Sequence, residues 1–384
     1  MESQEDTAKP RRRRRILVGT LVVVVLLLAG GTFGIGWYYS GELLNPVTSA
    51  QGRFQDTVLE SAGGSVTLAD SASAARPGEY VLTWEGGGLA GVGPVLDRAD
   101  GRVRRAVTSG AAPPAGTKVS VANWSRLSDP RSADGLEFAE VGVPTELGPA
   151  PAWYVPGSSK TWVIAVHGRG SQPGSRAEAL RVLPVLHQLG LPVLDITYRN
   201  DFGAPPSPDG LYHLGDTEWR DVEAAMRYAR DQGAERFVLY GWSMGGAIVA
   251  QTLARSSLAG SVTATVLDAP ALDWTAAVAQ GAQVRGVPGF LTPLASLFAD
   301  WRADVDFDRL KVVDNPPAAK PPTLLFHGAE DSTVPVRTSR DLAAAAPRLG
   351  WPVRYEEFPL AEHTGEWNTD RPRYESTLRT FLTQ

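Results

Sequence analysis

The distribution of apolar residues sets the first 40 positions apart from the rest of the chain. Residues 16–40 contain no charged residue and include an unbroken aliphatic run at 21–28. An α-helix rises about 1.5 Å per residue, so about 20 residues cross the hydrocarbon core of a bilayer. The pattern therefore predicts a transmembrane helix over 16–40, which is long enough to span the membrane with some tilt.

The residues on either side of this segment predict its orientation. Residues 11–15 are all arginine, and Trp-Tyr-Tyr at 37–39 lies where an aromatic interfacial belt would form. Because positive residues stay on the cytoplasmic side, residues 1–15 are expected to form a cytoplasmic tail. The rest of the chain would then lie outside the cytoplasm, held at the cell membrane by one helix. A cleaved signal peptide is the alternative, with Thr-Ser-Ala at 48–50 as a weak cleavage site.

The next region, residues 41–135, is rich in Gly, Ser, Ala and Pro and carries short apolar or alternating runs. Residues 80–84, 103–107 and 119–121 are interpreted as strands. We expect a small β-rich module here, the alternative being a partly ordered stalk. Asn-Trp-Ser at 123–125 matches a glycosylation sequon, a triplet that often occurs by chance.

From residue 136 onward, predicted strands and helices alternate. The segment 161–166 is interpreted as a buried strand, and residues 217–232 have apolar positions at helical spacing. The alternation predicts an α/β fold over 136–384, with a mostly parallel sheet and helices on both faces. The further expected strands are 191–198, 236–240, 262–267, 323–327 and 353–358, and the further expected helices are 177–189 and 371–383.

The composition excludes several kinds of site. The chain has no cysteine, so a thiol nucleophile, a disulfide framework and a cysteine-ligated metal are ruled out. The net charge is −5 and the arginine run adjoins an apolar helix, so no nucleic-acid partner is expected. Any catalytic chemistry must therefore use other residue types.

The sequence Gly-Trp-Ser-Met-Gly-Gly at 241–246 is the strongest catalytic signal. It follows a predicted strand and precedes a predicted helix, a context that exposes a serine at the edge of a sheet. Small residues are needed two positions on either side of the serine, because strand and helix approach closely there. The helix N-terminus adds N–H groups and the positive end of a dipole. We therefore predict Ser243 as a nucleophile, the alternative being a serine that only caps the helix.

A serine nucleophile needs a general base, and the chain has 5 histidines. His363 is preferred, because it lies in a loop between the last predicted strand and the last predicted helix. His167 and His327 each end a buried strand before a glycine, which suits a structural role. His187 lies within a predicted helix, and His213 lies in a loop that could line a pocket.

The histidine in turn needs an acid to fix its tautomer. Asp331, just after the penultimate predicted strand, is the preferred residue. The rivals are its neighbour Glu330 and Asp268, which follows the strand at 262–267. The resulting order along the chain is nucleophile, acid, base, as in Ser243, Asp331 and His363.

Four motifs occur in this order along the catalytic region. They are His-Gly-Arg-Gly at 167–170, Gly-Trp-Ser-Met-Gly-Gly at 241–246, Gly-Ala-Glu-Asp at 328–331 with Val-Pro at 334–335, and Glu-His at 362–363. Together they make residues 136–384 resemble the α/β-hydrolase superfamily. Within it, the chain is similar to bacterial hydrolases of the prolyl-oligopeptidase and serine-aminopeptidase branches and to membrane-anchored lysophospholipase-like enzymes.

The resemblance implies an oxyanion hole and a lid. One oxyanion donor is the backbone N–H of the residue after the nucleophile, here Met244, and the other follows the His-Gly pair, here Arg169. The Arg169 side chain either reaches an anionic substrate group or is solvated. Residues 271–310 lie between two predicted strands, where these folds often insert a lid. A helix starting near Thr-Pro at 292–293 would line an acyl pocket or pack on the core.

Three hypotheses for function follow, and the first is preferred. It is a serine hydrolase that cleaves small or lipid-derived carboxylic esters through an acyl-enzyme on Ser243, with no metal or other cofactor. The second is an aminopeptidase or oligopeptidase-like amidase, for which Asp201, Asp216 and Glu218 are available to hold a substrate ammonium. The third is a non-catalytic, membrane-tethered binding protein on a hydrolase scaffold.

Overall fold

The part of the chain that the computed structural model describes has four segments, which are residues 8–47, 54–125, 128–170 and 174–384. The weak cleavage site at 48–50 lies outside these ranges. The first element, α1 (Ala8–Leu44), contains the whole predicted membrane span. Its stretch Arg14–Leu44 has 31 residues and a mean hydropathy of 2.6 in its most apolar window, which is enough to cross a membrane. A signal sequence near the N-terminus meets the same criterion.

Residues 56–122 form a closed antiparallel barrel. Its strands are β1 (Asp56–Ala62), β2 (Ser65–Ala69), β3 (Tyr80–Trp84), β4 (Gly88–Ala99), β5 (Arg102–Gly110) and β6 (Lys118–Ala122). Around the barrel they follow the order β1-β2-β5-β4-β3-β6. Closure pairs strand edges that would otherwise be exposed. The expected β-rich module is present as this barrel, and the alternative of a partly ordered stalk is wrong for these residues.

The C-terminal region is built on a mixed sheet. Its strands are β7 (Ala139–Thr145), β8 (Gly148–Val155), β9 (Thr161–Val166), β10 (Val193–Ile196), β11 (Arg236–Trp242), β12 (Val262–Asp268), β13 (Thr323–Gly328) and β14 (Val353–Phe358). They lie in the order β7-β8-β10-β9-β11-β12-β13-β14. Strands β9 to β14 run parallel, whereas β7 and β8 are antiparallel additions at one edge. The mostly parallel sheet is confirmed.

Helices cover both faces of this sheet. In β9, Ile164 packs into the core that contains Met226, and Val163 packs into the opposite core with Leu186. Because both faces are buried, the central strands are continuous apolar runs without alternation. The helices after α1 are α2 (Pro130–Asp134), α3 (Leu183–Gln188), α4 (Trp219–Asp231), α5 (Met244–Arg255), α6 (Trp274–Val284), α7 (Thr292–Ala303), α8 (Arg337–Leu349), α9 (Glu366–Thr369) and α10 (Arg371–Leu382).

Two of the predicted elements differ from the structure. The helix expected over 177–189 is a 3₁₀ helix at Arg176–Arg181 followed by the short α3, with Pro184 in its first turn. A proline has no N–H to donate and clashes with the preceding turn, so it does not continue a helix. The strand expected over 191–198 is shorter, because only Val193–Ile196 pairs with its neighbours.

Candidate active site

Ser243 occupies the sharp turn between β11 and α5. Its backbone angles are φ 51° and ψ −117°, a conformation that a residue with a side chain rarely adopts. Glycine is required around it: a Cβ on Gly241 would overlap the carbonyl of Gly245, and one on Gly245 would overlap the carbonyl of Val166. The surrounding contacts therefore hold the serine in a strained position at the end of a central strand.

The structure brings the three predicted triad residues together. The Ser243 hydroxyl lies 2.9 Å from Nε2 of His363, and Nδ1 of His363 lies 2.7 Å from Oδ2 of Asp331. Both distances are those of hydrogen bonds. With the hydroxyl donating to Nε2 and Nδ1–H donating to the carboxylate, the arrangement has the connectivity of a nucleophile, a base and an orienting acid.

The Asp331 carboxylate is fixed on both oxygens. Oδ1 accepts hydrogen bonds of 2.8 Å from the backbone N–H groups of Thr333 and Val334, and Oδ2 faces His363. Nε2 of His327 lies 3.2 Å from the same Oδ2. Burial alone would raise the pKa of Asp331, but the charges of His363 and His327 and the hydrogen bonds of these two histidines hold that pKa well below its ordinary value. The carboxylate therefore stays ionised at neutral pH.

Two opposing effects act on the pKa of His363. Burial disfavours the imidazolium and lowers the pKa, while the charge and hydrogen bond of Asp331 raise it, with a smaller contribution from Glu178. The net direction is upward from the ordinary value. His363 is therefore a stronger base than a solvated histidine, although it must be neutral to accept the serine proton.

The raised pKa of His363 gives a prediction for the pH dependence of hydrolysis. The neutral imidazole is the active form, so kcat/KM should fall as pH decreases through the pKa of the free enzyme. We expect the midpoint of this acid limb to lie above about 6.5, the ordinary value for histidine. The measurement is kcat/KM for a non-ionising ester across the pH range. A midpoint well below that value would contradict the assigned pairing with Asp331.

The loop after β9 lies beside the nucleophile. A Cβ built on Gly168 would be 3.2 Å from Cβ of Ser243, and the N–H of Gly168 donates to Glu178 at 2.8 Å. The next backbone N–H along this loop is that of Arg169, which lines the same cavity as Ser243. Met244, the other residue expected to donate a backbone N–H to an oxyanion, directly follows the nucleophile as the first residue of α5 and is fully buried.

The rival acids have other partners. Asp268 is fully buried and accepts a 2.6 Å hydrogen bond from the hydroxyl of Tyr374. Glu330 is exposed, and its side chain makes no hydrogen bond or ion pair within the described residues. Neither carboxylate contacts the imidazole of His363, so the geometry selects Asp331 among the three.

Two of the remaining histidines, His167 and His213, pair with other carboxylates. His167 Nε2 lies 2.8 Å from Asp201 Oδ2, and both side chains are buried. His187 lies within α3, as its position in a predicted helix required. His213 pairs with Asp209 at 3.1 Å and is not among the described residues that line the cavity around Ser243.

The C-terminal region is similar to known proteins. Residues 198–384 match the family model described as the prolyl oligopeptidase family. A crystal structure of the Pyrococcus furiosus esterase Pf2001 superimposes with a TM-score of 0.55 at 20% identity, covering 67% of this chain and 94% of that one. Another crystal form of the same esterase gives a TM-score of 0.53 at 20% identity, with 67% and 95% covered. The C-terminal region has the α/β-hydrolase fold.

The comparisons are less informative for the barrel. Residues 57–122 match a family model described only as a domain of unknown function (DUF8805). No curated protein sequence matches the chain. The likeness to α/β hydrolases therefore rests on the C-terminal sheet region.

The segment that leaves the barrel nevertheless contributes directly to the candidate site. The side-chain amide of Asn123 donates to the backbone carbonyls of His363 and Thr364, both at 3.1 Å. Trp124 lines the cavity, and the guanidinium of Arg181 lies 4.8 Å from the centre of its ring. The segment that leaves the barrel thus holds the loop that carries His363. In the sequence, Asn123 stands out only as part of a sequon, and no local signal marks Trp124.

The cavity beside Ser243 has a volume of about 490 Å³. This volume is typical of a site for a small molecule. Apolar groups of α6, α7 and the segment between them form one wall, and the end of α1 contributes another. The residues that line these two walls include Tyr39, Glu42 and Leu43 of α1 together with Val284, Val287 and Leu291.

The three acids considered for an amidase are engaged away from the cavity. Asp201 is bonded to a buried imidazole, as described above. Asp216 pairs with Arg309 at 2.6 Å, and Glu218 accepts a 2.7 Å hydrogen bond from the backbone N–H of His213. None of the three is among the described residues that line the cavity, so they are not placed to hold a substrate ammonium.

Proposed function

We propose that this α/β hydrolase cleaves carboxylic esters, small or lipid-derived, through an acyl-enzyme on Ser243. The observation that carries the proposal is the continuous hydrogen-bonded series from Ser243 through His363 to Asp331 beside a cavity with apolar walls. Apolar walls favour binding of the acyl group of an ester. The few polar groups of the site can then contact the reacting carbonyl. We further propose that α1 anchors the enzyme in the cell membrane, with its arginines in the cytoplasm and the catalytic region outside.

Each proposed step uses groups of the chain itself. Ser243 Oγ attacks the ester carbonyl while Nε2 of His363 takes its proton. The backbone N–H groups of Arg169 and Met244 stabilise the tetrahedral oxyanion. His363 then returns the proton to the leaving alcohol, which leaves an acyl-enzyme. Water, activated by the same imidazole, releases the carboxylic acid and restores the serine.

An amidase is the second candidate, because residues 198–384 match the prolyl oligopeptidase family model. The cavity also contains an acidic residue, Glu42 of α1, which offers a charge for a substrate amine. This carboxylate is exposed and belongs to α1 rather than to the matched region. We therefore favour the ester hydrolase and treat amide cleavage as the competing outcome of one experiment.

The experiment compares matched ester and amide substrates with the full-length protein in detergent micelles. p-Nitrophenyl esters of increasing acyl length are tested against aminoacyl p-nitroanilides. We expect kcat/KM for the best ester to exceed that for the best amide by about 100-fold or more, a ratio that pocket complementarity can supply. A preference for the anilides would establish the amidase. Lack of labelling by a fluorophosphonate probe, together with no turnover, would favour the non-catalytic binding protein.

A further inference from the structure

The outer end of α1 packs against α7 through aromatic rings. The ring centroids of Phe33 and Phe298 are 5.2 Å apart, and those of Trp37 and Trp301 are 6.3 Å apart. The two helices approach closely, because a Cβ on Gly36 would overlap the ring of Phe298. The proposed lid segment is thus joined to the part of the anchor expected at the outer membrane surface.

A polar contact fixes the same junction. The Arg302 guanidinium lies 4.2 Å from the ring centre of Trp37, and its Nη1 donates to Ser40 Oγ at 2.8 Å. At the end of α1, Arg169 Nη2 donates to the carbonyls of Glu42 and Asn45 at 2.7 and 2.8 Å. A cation at these carbonyls also complements the negative end of the helix dipole. The anchor is therefore bonded to the loop that carries the proposed oxyanion donor.

The junction exposes a continuous apolar surface, which we call the α1–α7 patch. Its members are Phe33, Trp37, Leu297 and Trp301, and each of these residues is between 48% and 66% exposed. Large exposed apolar patches mark interaction sites, and this one continues the exposed apolar surface of the predicted span. Tryptophan favours the membrane–water interface. Asp300, exposed on the same helix, suits the headgroup level rather than the hydrocarbon.

The cavity beside Ser243 opens next to this patch. Tyr39 and Leu43 of α1 line it, two residues and six residues beyond Trp37. Val284 at the end of α6 also lines it and is 63% exposed, so it forms part of the rim. An acyl chain leaving the outer leaflet beside α1 would therefore meet apolar side chains along the way to the nucleophile.

We propose that the α1–α7 patch lies in the headgroup region of the outer leaflet, and that the enzyme draws single-chain acyl esters directly from the bilayer. The inference rests on the proposed ester hydrolysis and adds the source and class of the substrate. A lipid with one acyl chain matches a cavity sized for one small molecule. The occupant of the patch is the lipid bilayer, since the patch continues the surface of the anchor.

The test uses the full-length enzyme in phosphatidylcholine vesicles with two substrates. One is a long-chain monoacylglycerol that resides in the bilayer, and the other is water-soluble p-nitrophenyl acetate. The double variant Leu297→Gln/Trp301→Gln should lose about tenfold or more of its activity on the bilayer ester, because apolar area at the interface contributes to membrane contact. Its activity on the soluble ester should stay within about twofold, as should both activities of the control Leu96→Gln on β4 of the barrel.

A second measurement reports position without using activity. The chain has no cysteine, so Leu297→Cys and Leu96→Cys each give one site for an environment-sensitive fluorophore. The label at 297 should be quenched by lipids brominated near the headgroup, and the label at 96 should not. Equal access of both labels to an aqueous quencher, or unchanged bilayer activity in the double variant, would overturn the inference. Failure of the wild-type enzyme on the soluble ester would instead reject the proposed function.

Discussion

Ser243→Ala is expected to lower kcat for ester hydrolysis by about 10⁵- to 10⁶-fold, the range seen when a serine nucleophile is removed from a triad. Without Oγ no acyl-enzyme forms, and water must attack a carbonyl that only the oxyanion donors and binding groups still activate. The measurements are kcat and covalent labelling by a fluorophosphonate, which should be absent in the variant. Ser376→Ala, an exposed serine on α10, is the control that should keep full activity and labelling.

The strain at residue 243 supplies a second variant that separates chemistry from folding. Ser243→Gly removes the same hydroxyl, and glycine adopts a positive φ without steric cost. The glycine variant should therefore be as inactive as the alanine variant but more stable to thermal unfolding, by about 1 kcal/mol. Substantial turnover in either variant would show that another group attacks the ester. A less stable glycine variant would contradict the strained turn.

The parts of the site that the sequence predicted are those whose signals are local. Ser243 was found because strand, glycines and helix follow one another within a few residues, and the tight packing of that turn dictates the pattern. The buried strands β9, β11 and β13 were found because both of their faces are covered, which leaves uninterrupted apolar runs. His363 and Asp331 followed from their positions after predicted strands, since the carboxyl ends of parallel strands meet at one edge.

The contacts that sequence analysis missed join residues that are far apart in the chain. Asn123 and His363 are 240 positions apart, and Arg302 and Ser40 are 262 apart. A single hydrogen bond of this kind leaves no periodicity in either segment. The barrel strand β4 was missed for a different reason: it contains Gly and Pro, which weaken the strand pattern, and a bulged register breaks its alternation. Tertiary pairing, not local preference, fixes these features.

Asp331→Asn is expected to lower kcat by about 10⁴-fold while preserving the fold, the effect of the same change in a serine protease triad. The surroundings of Asp331 determine how the asparagine would sit. The N–H groups of Thr333 and Val334 require an acceptor, so Oδ1 stays with them and the amide NH₂ turns towards Nδ1 of His363. Nδ1 must then accept, and the ring proton moves to Nε2, where it faces Ser243 Oγ.

In that tautomer the imidazole cannot take the serine proton, and the imidazolium would lack its anionic partner. The acid limb of the pH profile should also shift to lower pH, because the carboxylate that raises the pKa of His363 is gone. Glu330→Gln changes the charge of the adjacent residue and should leave kcat within about twofold. If Asp331→Asn kept activity within about tenfold of wild type, while Asp268→Asn abolished it, the orienting acid would be Asp268. The contacts of Asp268 argue against that outcome. Its Oδ2 accepts a hydrogen bond from the hydroxyl of Tyr374, and its carboxylate makes no hydrogen bond to the imidazole of His363.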